Sequence, residues 1–257
     1  MNQTERRAYL IEKLLDENPD ARFAVDLRQE PRRVLRSLLN VRPPMPADPE
    51  FLQVQDAYLQ EELCRKGITD VGSLTPAEPG IYLWKGDITT LRCDGIVNAA
   101  NDRLLGCFCP CHGCIDNAIH TFAGVQLRLA CAELMAEQGG REPTGQAKIT
   151  EAYNLPCRYV LHTVGPIVNG PLTDRHRAAL AGCYRSCLQL ADRHGLQSIA
   201  FCCISTGEFH FPNREAAVIA VETVRAYRRE TASGMQVIFD VFGEKDDEIY
   251  EELLGAD

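Results

Sequence analysis

The stretch NAANDRLLGCFCPCHGCIDNAIHTFAG, Asn98 to Gly124, joins the end of a β-branched run to a helical pattern that opens around Asp116. Between the two lie Cys107, Cys109, Cys111, His112 and Cys114, five candidate ligands within eight residues. Strand, polar loop and helix in succession are the repeating unit of an α/β fold. The sulfurs in the loop read as a metal site, a redox site or coincidence, and the remainder of the chain has to choose among them.

Outward from this stretch the same alternation recurs. IYLWKGDI (81–88), GIVNAA (95–100), YVLHTVG (159–165), SIAFCCI (198–204) and MQVIFDVF (235–242) are short apolar runs rich in β-branched and aromatic residues, with AKITEAYNL (147–155) a weaker sixth. Amphipathic helices are expected between them at about 114–137, 174–194, 213–232 and 245–254. The pattern predicts a mixed, mostly parallel sheet in an α/β domain with helices on both faces. Ligands of such sheets bind beyond the strand carboxyl ends, where GDIT (86–89), NAAN (98–101), a turn at Pro166 and STGEFHFP (205–212) fall.

Residues 1–75 have a different texture and read as a helical N-terminal extension to a domain spanning 76–257. ERRAYLIEKLLDEN carries apolar residues at helical spacing, and DPEFLQVQDAYLQEELCRKG begins with an acidic cap and ends in glycine. Four prolines in NVRPPMPADP separate the two. The basic run RRVLRSLL (32–39) reads as a solvated helix face, and nothing in the extension connects to chemistry.

Composition narrows the function classes. The 257 residues are 45% hydrophobic and 25% charged, as expected for a globular protein with one sizeable core. The first twenty residues hold no signal-like apolar block, and no window approaches the roughly 18 apolar residues of a membrane span, so a cytoplasmic protein is expected. A net charge of -9 argues against a nucleic-acid partner. A small anion held by backbone N–H groups remains compatible with it. Of the twelve cysteines, Cys64, Cys131, Cys183, Cys187, Cys202 and Cys203 lie in apolar patterns and read as small hydrophobes, as do Cys93 and Cys157 by default.

GDIT, IVNAAN, IDNAIHTFAG, YVLHTVGP and ISTGEFHFPNREAA, in this order, resemble the macrodomain family, which binds ADP-ribose; the resemblance covers about residues 80–257. It implies a three-layer α/β/α fold. The chain departs from the common form where many macrodomains have a glycine run: here stands GCFCPCHGC (106–114). That insertion and the helical extension resemble the zinc-containing branch of protein-ADP-ribose hydrolases, whose Cys, four residues, His, one residue, Cys pattern falls on Cys107, His112 and Cys114. Thiolate and imidazole ligands suit tetrahedral Zn2+, and three protein ligands leave a position for water or substrate. Cys109 and Cys111 are near enough to close the shell; the family pattern leaves them as bystanders. A structural zinc clip is the competing reading of the cluster.

The resemblance also assigns the remaining site residues. Asp87 would accept from the adenine amino group with the Ile88 amide beside it, although alone it reads as an ordinary turn aspartate. Phe242 would stack on adenine, although alone it reads as core. Ser205, Thr206, Gly207, Glu208 and Phe209 would cradle the pyrophosphate; without the resemblance they are a turn and helix cap. Asn101 would hold the distal ribose, and Asp116 would orient or deprotonate the attacking water. Asn98 reads as a loop brace, His120 as a packing residue, His162 as a satisfied interior residue, and His210 carries no assignment. The expected function is zinc-dependent removal of ADP-ribose from mono-ADP-ribosylated protein, against an O-acetyl-ADP-ribose deacetylase or a non-catalytic ADP-ribose-binding module. Oligomeric state is not legible.

Overall fold

The computed structural model describes residues 1–255. The extension supplies α1 (Gln3–Glu17), the single turn α2 (Ala21–Ala24), α3 (Pro31–Val41) and α4 (Pro49–Lys66). Asp48 caps α4 by accepting from the Glu50 amide, and Gly67 ends it at φ 85°, as the acid-start and glycine-stop pattern requires. After short strands β1 (Thr69–Asp70) and β2 (Pro76–Glu78) come β3 (Ile81–Lys85), β4 (Leu91–Arg92), β5 (Gly95–Ala99), α5 (Ile115–Ala123) and α6 (Val125–Gln138). β6 (Ala147–Glu151), β7 (Tyr159–Thr163), α7 (Asp174–Arg193), β8 (Ser198–Phe201), α8 (Asn213–Thr231), β9 (Gln236–Val241) and α9 (Glu244–Leu254) complete the chain.

Seven strands pair in the order β2-β3-β9-β8-β5-β7-β6. The five inner strands are mutually parallel, and the edge strands β2 and β6 run antiparallel to their neighbours. Inner strands buried on both faces demand continuous apolar runs, and Ile96, Val97, Ile199, Ala200, Val237 and Ile238 are fully buried. α7 and α9 each pack on both α8 and the sheet, α5 packs on β5 and α6 on β6, and the extension docks on α5 and α6 through α3 and the apolar cluster around Val125. Among the described residues no helix is long and apolar enough to cross a membrane.

Several sequence expectations need correction. The helix expected over 114–137 is two helices, α5 and α6, broken at Gly124 with φ 98°. A Cβ there would stand 2.7 Å from Gln55 Nε2, and Gln55, buried in α4, accepts from the Val125 amide at 3.0 Å. The break is where the extension docks. β1, β2 and β4 were invisible to periodicity because two or three residues carry none. RRVLRSLL is not a solvated face: Val34, Leu35, Leu38 and Leu39 are buried in a second apolar cluster with Leu10, Phe51 and Val125. Cys64 is exposed and Cys203 half-buried, whereas the other six dispersed cysteines are buried. Cys64 follows buried Leu63 and is turned about 100° from it around α4.

Candidate functional site

Because β3, β5, β7, β8 and β9 are parallel, the loops after them open at one edge of the sheet. They enclose a cleft of about 1110 Å³, slightly larger than the roughly 300–1,000 Å³ of most small-molecule sites. The residues given a binding, catalytic or metal role from the sequence all line it: Asp87, Ile88, Asn101, Cys107, His112, Cys114, Asp116, Ser205, Thr206, Gly207, Glu208, Phe209 and Phe242.

Asp116 sits in the first turn of α5, whose N-cap is Cys114. It is buried, with Asn98 Nδ2 donating to Oδ1 at 2.8 Å and Asn101 Nδ2 donating to Oδ2 at 3.3 Å. Burial raises its carboxyl to about 6, against the lowering effect of the Asn98 bond, Arg128 and the Asn101 bond. Asn98 therefore braces the carboxylate directly. Its second amide proton goes to Nδ1 of His162 at 3.2 Å. Since an amide N–H can only donate, that nitrogen accepts, and His162 Nε2 carries the proton toward Thr150 Oγ1 at 2.9 Å.

His120, one turn after Asp116, approaches Oδ1 at 3.5 Å. Burial first, then His162 and Arg128, push its imidazole well below the ordinary histidine range, so the ring is neutral and the approach is a packing contact, not an ion pair. Gly106, at φ 79°, is required here: a Cβ would meet the His120 ring at 2.7 Å. His120, Cys131 and His162 are close enough to form a buried donor group. Both His162 nitrogens are engaged, however, which leaves no lone pair for a metal.

The donor atoms of Cys107, His112 and Cys114 lie within 4.8 Å of one another. A zinc ion at about 2.3 Å from sulfur and about 2.0 Å from nitrogen sets tetrahedral ligand atoms roughly 3.5–3.8 Å apart, so this group fits the metal. Nδ1 of His112 is buried and without a hydrogen-bond partner, while Nε2 stands 3.6 Å from Glu208. A turn closes between them, His112 N donating to Cys109 O at 3.2 Å around Pro110 and Cys111. Cys111 takes φ 51°, a left-handed conformation costing a side-chain-bearing residue about 1–2 kcal/mol. Its sulfur points away from the other ligands, 3.2 Å from Ser37 Oγ. Cys109 is exposed and contributes its carbonyl to the loop.

The loop after β8 is folded by Phe211 N donating to Ser205 O at 2.9 Å and His210 N to Gly207 O at 3.0 Å. Among the described residues, the amides of Gly207, Glu208 and Phe209 make no bond within the protein. A Cβ on Gly207 would meet no protein atom within 4 Å. α8 starts only at Asn213 behind Pro212, so Ser205-Thr206-Gly207 is not its cap. Gly165 makes room for the loop, since a Cβ there would be 2.0 Å from Ser205 Oγ.

At the opposite end Asp87 accepts from Thr89 N and from Lys66 Nζ at 2.9 Å. Burial raises its carboxyl, but the Thr89 and Lys66 bonds outweigh that and hold it below the usual aspartate value. Phe242 is 82% exposed at the rim, so it is not core. The strand ends at Val241 and releases it.

The lining residues that sequence reading missed include Arg36, Lys66, Phe122 and Asp240. Arg36 and Lys66 come from α3 and α4 and stand over the Phe122 ring, at 5.9 and 3.4 Å from its centroid. No spacing within 1–75 pointed to them, because their partners lie beyond residue 85. Asp240 could have been noticed as the lone acid in the otherwise apolar VIFDVF. It is buried, and its Oδ1 has no partner. Burial first, then the charge of Asp87, push its carboxyl well above the ordinary range.

The folded chain thus keeps a proton on Asp240 that the unfolded chain releases above the ordinary aspartate value. The associated stability is complete below that value and is lost as pH rises toward the folded one. Asp240→Asn, a neutral isostere, is expected to raise Tm at about pH 8 and leave it nearly unchanged near pH 4. Paired thermal melts check this, and an unchanged or lowered Tm at pH 8 refutes it.

A mixed sheet flanked by helices, with a cleft of nucleotide size beyond its parallel strand ends, defines an α/β ligand-binding protein. The Macro domain model matches residues 97–220. A protein-ADP-ribose hydrolase of Treponema medium is 55% identical over 260 residues, covering 99% of this chain and 100% of that protein. A protein-ADP-ribose hydrolase of Staphylococcus aureus (strain MSSA476) is 53% identical over 224 residues, covering 86% of this chain and 84% of its own. The crystal structure of a Trypanosoma brucei macrodomain in complex with ADP-ribose superposes with a TM-score of 0.67 at 32% identity, covering 89% of this chain and 97% of that one. The chain belongs to the macro domain family.

Proposed function

We propose that this protein is a zinc-dependent hydrolase that removes ADP-ribose from mono-ADP-ribosylated protein side chains. One observation carries the reading: a carboxylate held by two amide donors, Asp116, shares a single cleft with the Cys107, His112 and Cys114 donor group. Simple binding of ADP-ribose needs neither. The names of the Treponema and Staphylococcus relatives and the ADP-ribose complex of the trypanosome relative support it.

In this reading the unbonded amides of Gly207, Glu208 and Phe209 take pyrophosphate oxygens without adding cations to an acidic protein. Asp87 receives the adenine amino group, the Ile88 amide lies beside it, and Phe242 covers the base. Asn101 orients the distal ribose and holds Asp116 against it. Cys107, His112 and Cys114 would hold Zn2+, which supplies Lewis-acid polarisation of an oxygen in the distal ribose region. Asp116 takes a proton from water as its oxygen bonds to the anomeric carbon. The bond from that carbon to the protein side chain breaks, the proton passes to the departing side chain, and free ADP-ribose remains. Twelve unpaired cysteines suit a reducing compartment, and the cytoplasm is the proposed setting.

The test is to incubate the purified chain with a protein carrying biotinylated mono-ADP-ribose, with and without a zinc chelator. Release of the label, lost in chelator and restored by Zn2+, is the expected outcome. Retention of the label by a chain that binds ADP-ribose identifies a non-catalytic binder. Faster turnover of O-acetyl-ADP-ribose than of the modified protein favours the deacetylase.

A further inference from the structure

Helix α3 lies outside the residues matched by the family model, yet it grips the Cys107–Cys114 loop through a set of contacts that the catalytic reading leaves unused. Arg36 Nη2 donates to the His112 carbonyl at 3.0 Å and to Asn117 Oδ1 at 2.8 Å. Asn117, fully buried in α5, passes the hold onward by donating Nδ2 to Cys109 O at 3.0 Å and Cys107 O at 3.4 Å. The Cys111 amide donates to Asn40 Oδ1 at 2.9 Å, and the Cys111 sulfur meets Ser37 Oγ at 3.2 Å and the Arg33 carbonyl at 3.4 Å.

The helix that does the gripping is itself pinned. Arg128, buried in α6, donates to the α3 carbonyls of Leu39 at 3.2 Å and Asn40 at 2.8 Å, and to the Arg42 carbonyl, so the helix end that α3 cannot satisfy internally is closed by the main domain. The same guanidinium stands 4.3 Å from the ring centroid of Phe108, inside the loop. Within the loop the backbone supplies one turn bond, His112 N to Cys109 O. The left-handed Cys111 is kept in place by Asn40 and Ser37, both on α3. External contacts, more than the loop's own bonds, determine its shape.

We infer that α3 holds the Cys107–Cys114 loop in its ligand-presenting shape before any metal arrives, with Arg36 and Asn40 as positioning residues. The inference rests on the reading of Cys107, His112 and Cys114 as metal ligands given above. Its physical content is pre-organisation: a loop ordered during folding pays no further ordering entropy when the ion binds, so affinity rises without any added ligand. It also gives the N-terminal extension a task at the site itself, by way of the loop backbone.

The experiment uses the full-length chain, metal-stripped and titrated with Co2+ against a competing chelator, with thiolate-to-cobalt absorption as the readout. Hydrogen exchange at residues 107–114 is measured in the metal-free state. Arg36→Ala is expected to weaken Co2+ binding by about 10–100-fold, the usual scale for removing an outer-shell partner, and to abolish protection of the Cys111 and His112 amides. Arg36→Lys, which keeps the charge but cannot fork between Asn117 and His112, is expected to fall between the two and serves if the alanine variant does not fold. Arg33→Ala removes a charge from the same helix but leaves the carbonyl that Cys111 uses, and should bind Co2+ as wild type does. Wild-type affinity, spectrum and loop protection in both Arg36 variants would overturn the inference, as would an equal loss in Arg33→Ala. If the wild-type chain itself gives no thiolate–cobalt band, the metal reading fails instead, and the exchange data alone decide whether α3 orders the loop.

Discussion

Asp116→Asn is expected to lower the rate of ADP-ribose release by about 10²–10⁴-fold, the usual contribution of a positioned general base, while ADP-ribose affinity changes by no more than a few fold. The amide keeps the carboxylate's shape and one acceptor oxygen, so Asn98 Nδ2 retains a partner. Asp116→Ala removes both acceptors and leaves that buried donor unpaired, a cost of about 1–3 kcal/mol. The alanine variant is therefore expected to be equally inactive and less stable. Single-turnover release together with calorimetric titration of ADP-ribose separates chemistry from binding. Wild-type turnover in Asp116→Asn would remove Asp116 from the reaction and leave the cleft as a binding site.

The second large effect concerns the donor group. Cys107→Ser, His112→Ala and Cys114→Ser are each expected to reduce metal content from about one ion per chain toward zero. Release should fall by about 10²-fold or more, since a Lewis acid contributes several kcal/mol and each 1.36 kcal/mol is tenfold. Cys114→Ser is the most discriminating of the three. Serine still caps α5 in place of the sulfur that accepts from Asn117 N, so a loss there reports ligation and not helix fraying. Cys109→Ser and Cys111→Ser, whose side chains lie outside the donor group, should retain metal and activity. Elemental analysis beside the release assay checks all five. Full metal in Cys107→Ser, or loss of metal in Cys109→Ser, would redraw the ligand set.

The parallel strands were legible from their β-branched runs because burial on both faces leaves little room for polar residues. The Asn98–Asn101 and Ser205–Phe209 loops were legible because they follow such runs at the end where ligands bind. The cysteine-rich loop displayed five candidate ligands within eight residues, and only the resemblance to the zinc-containing branch singled out Cys107, His112 and Cys114 among them. The brace on Asp116 was only half legible: Asn98 could be named, but its two-way link to the carboxylate and to His162 depends on β5 lying beside β7 in the register that sets Asn98 against His162.

The extension was misread for a physical reason. Arginine at helical spacing with leucines describes a solvated face equally well as a buried one whose cations reach a partner. Arg36 and Asn117 are 81 residues apart, and no local pattern links them. Residue order by itself therefore determined the alternation of strands and helices, the cleft end of the sheet and the presence of five clustered candidate ligands, since each depends on neighbours a few positions away. Only the tertiary structure decided that Gly124 divides α5 from α6, that Cys111 faces α3 and not the other donors, and that α3 and α4 wall the cleft. Those outcomes depend on how distant surfaces share polar groups, and a buried donor finds its acceptor through space, whatever the distance along the chain.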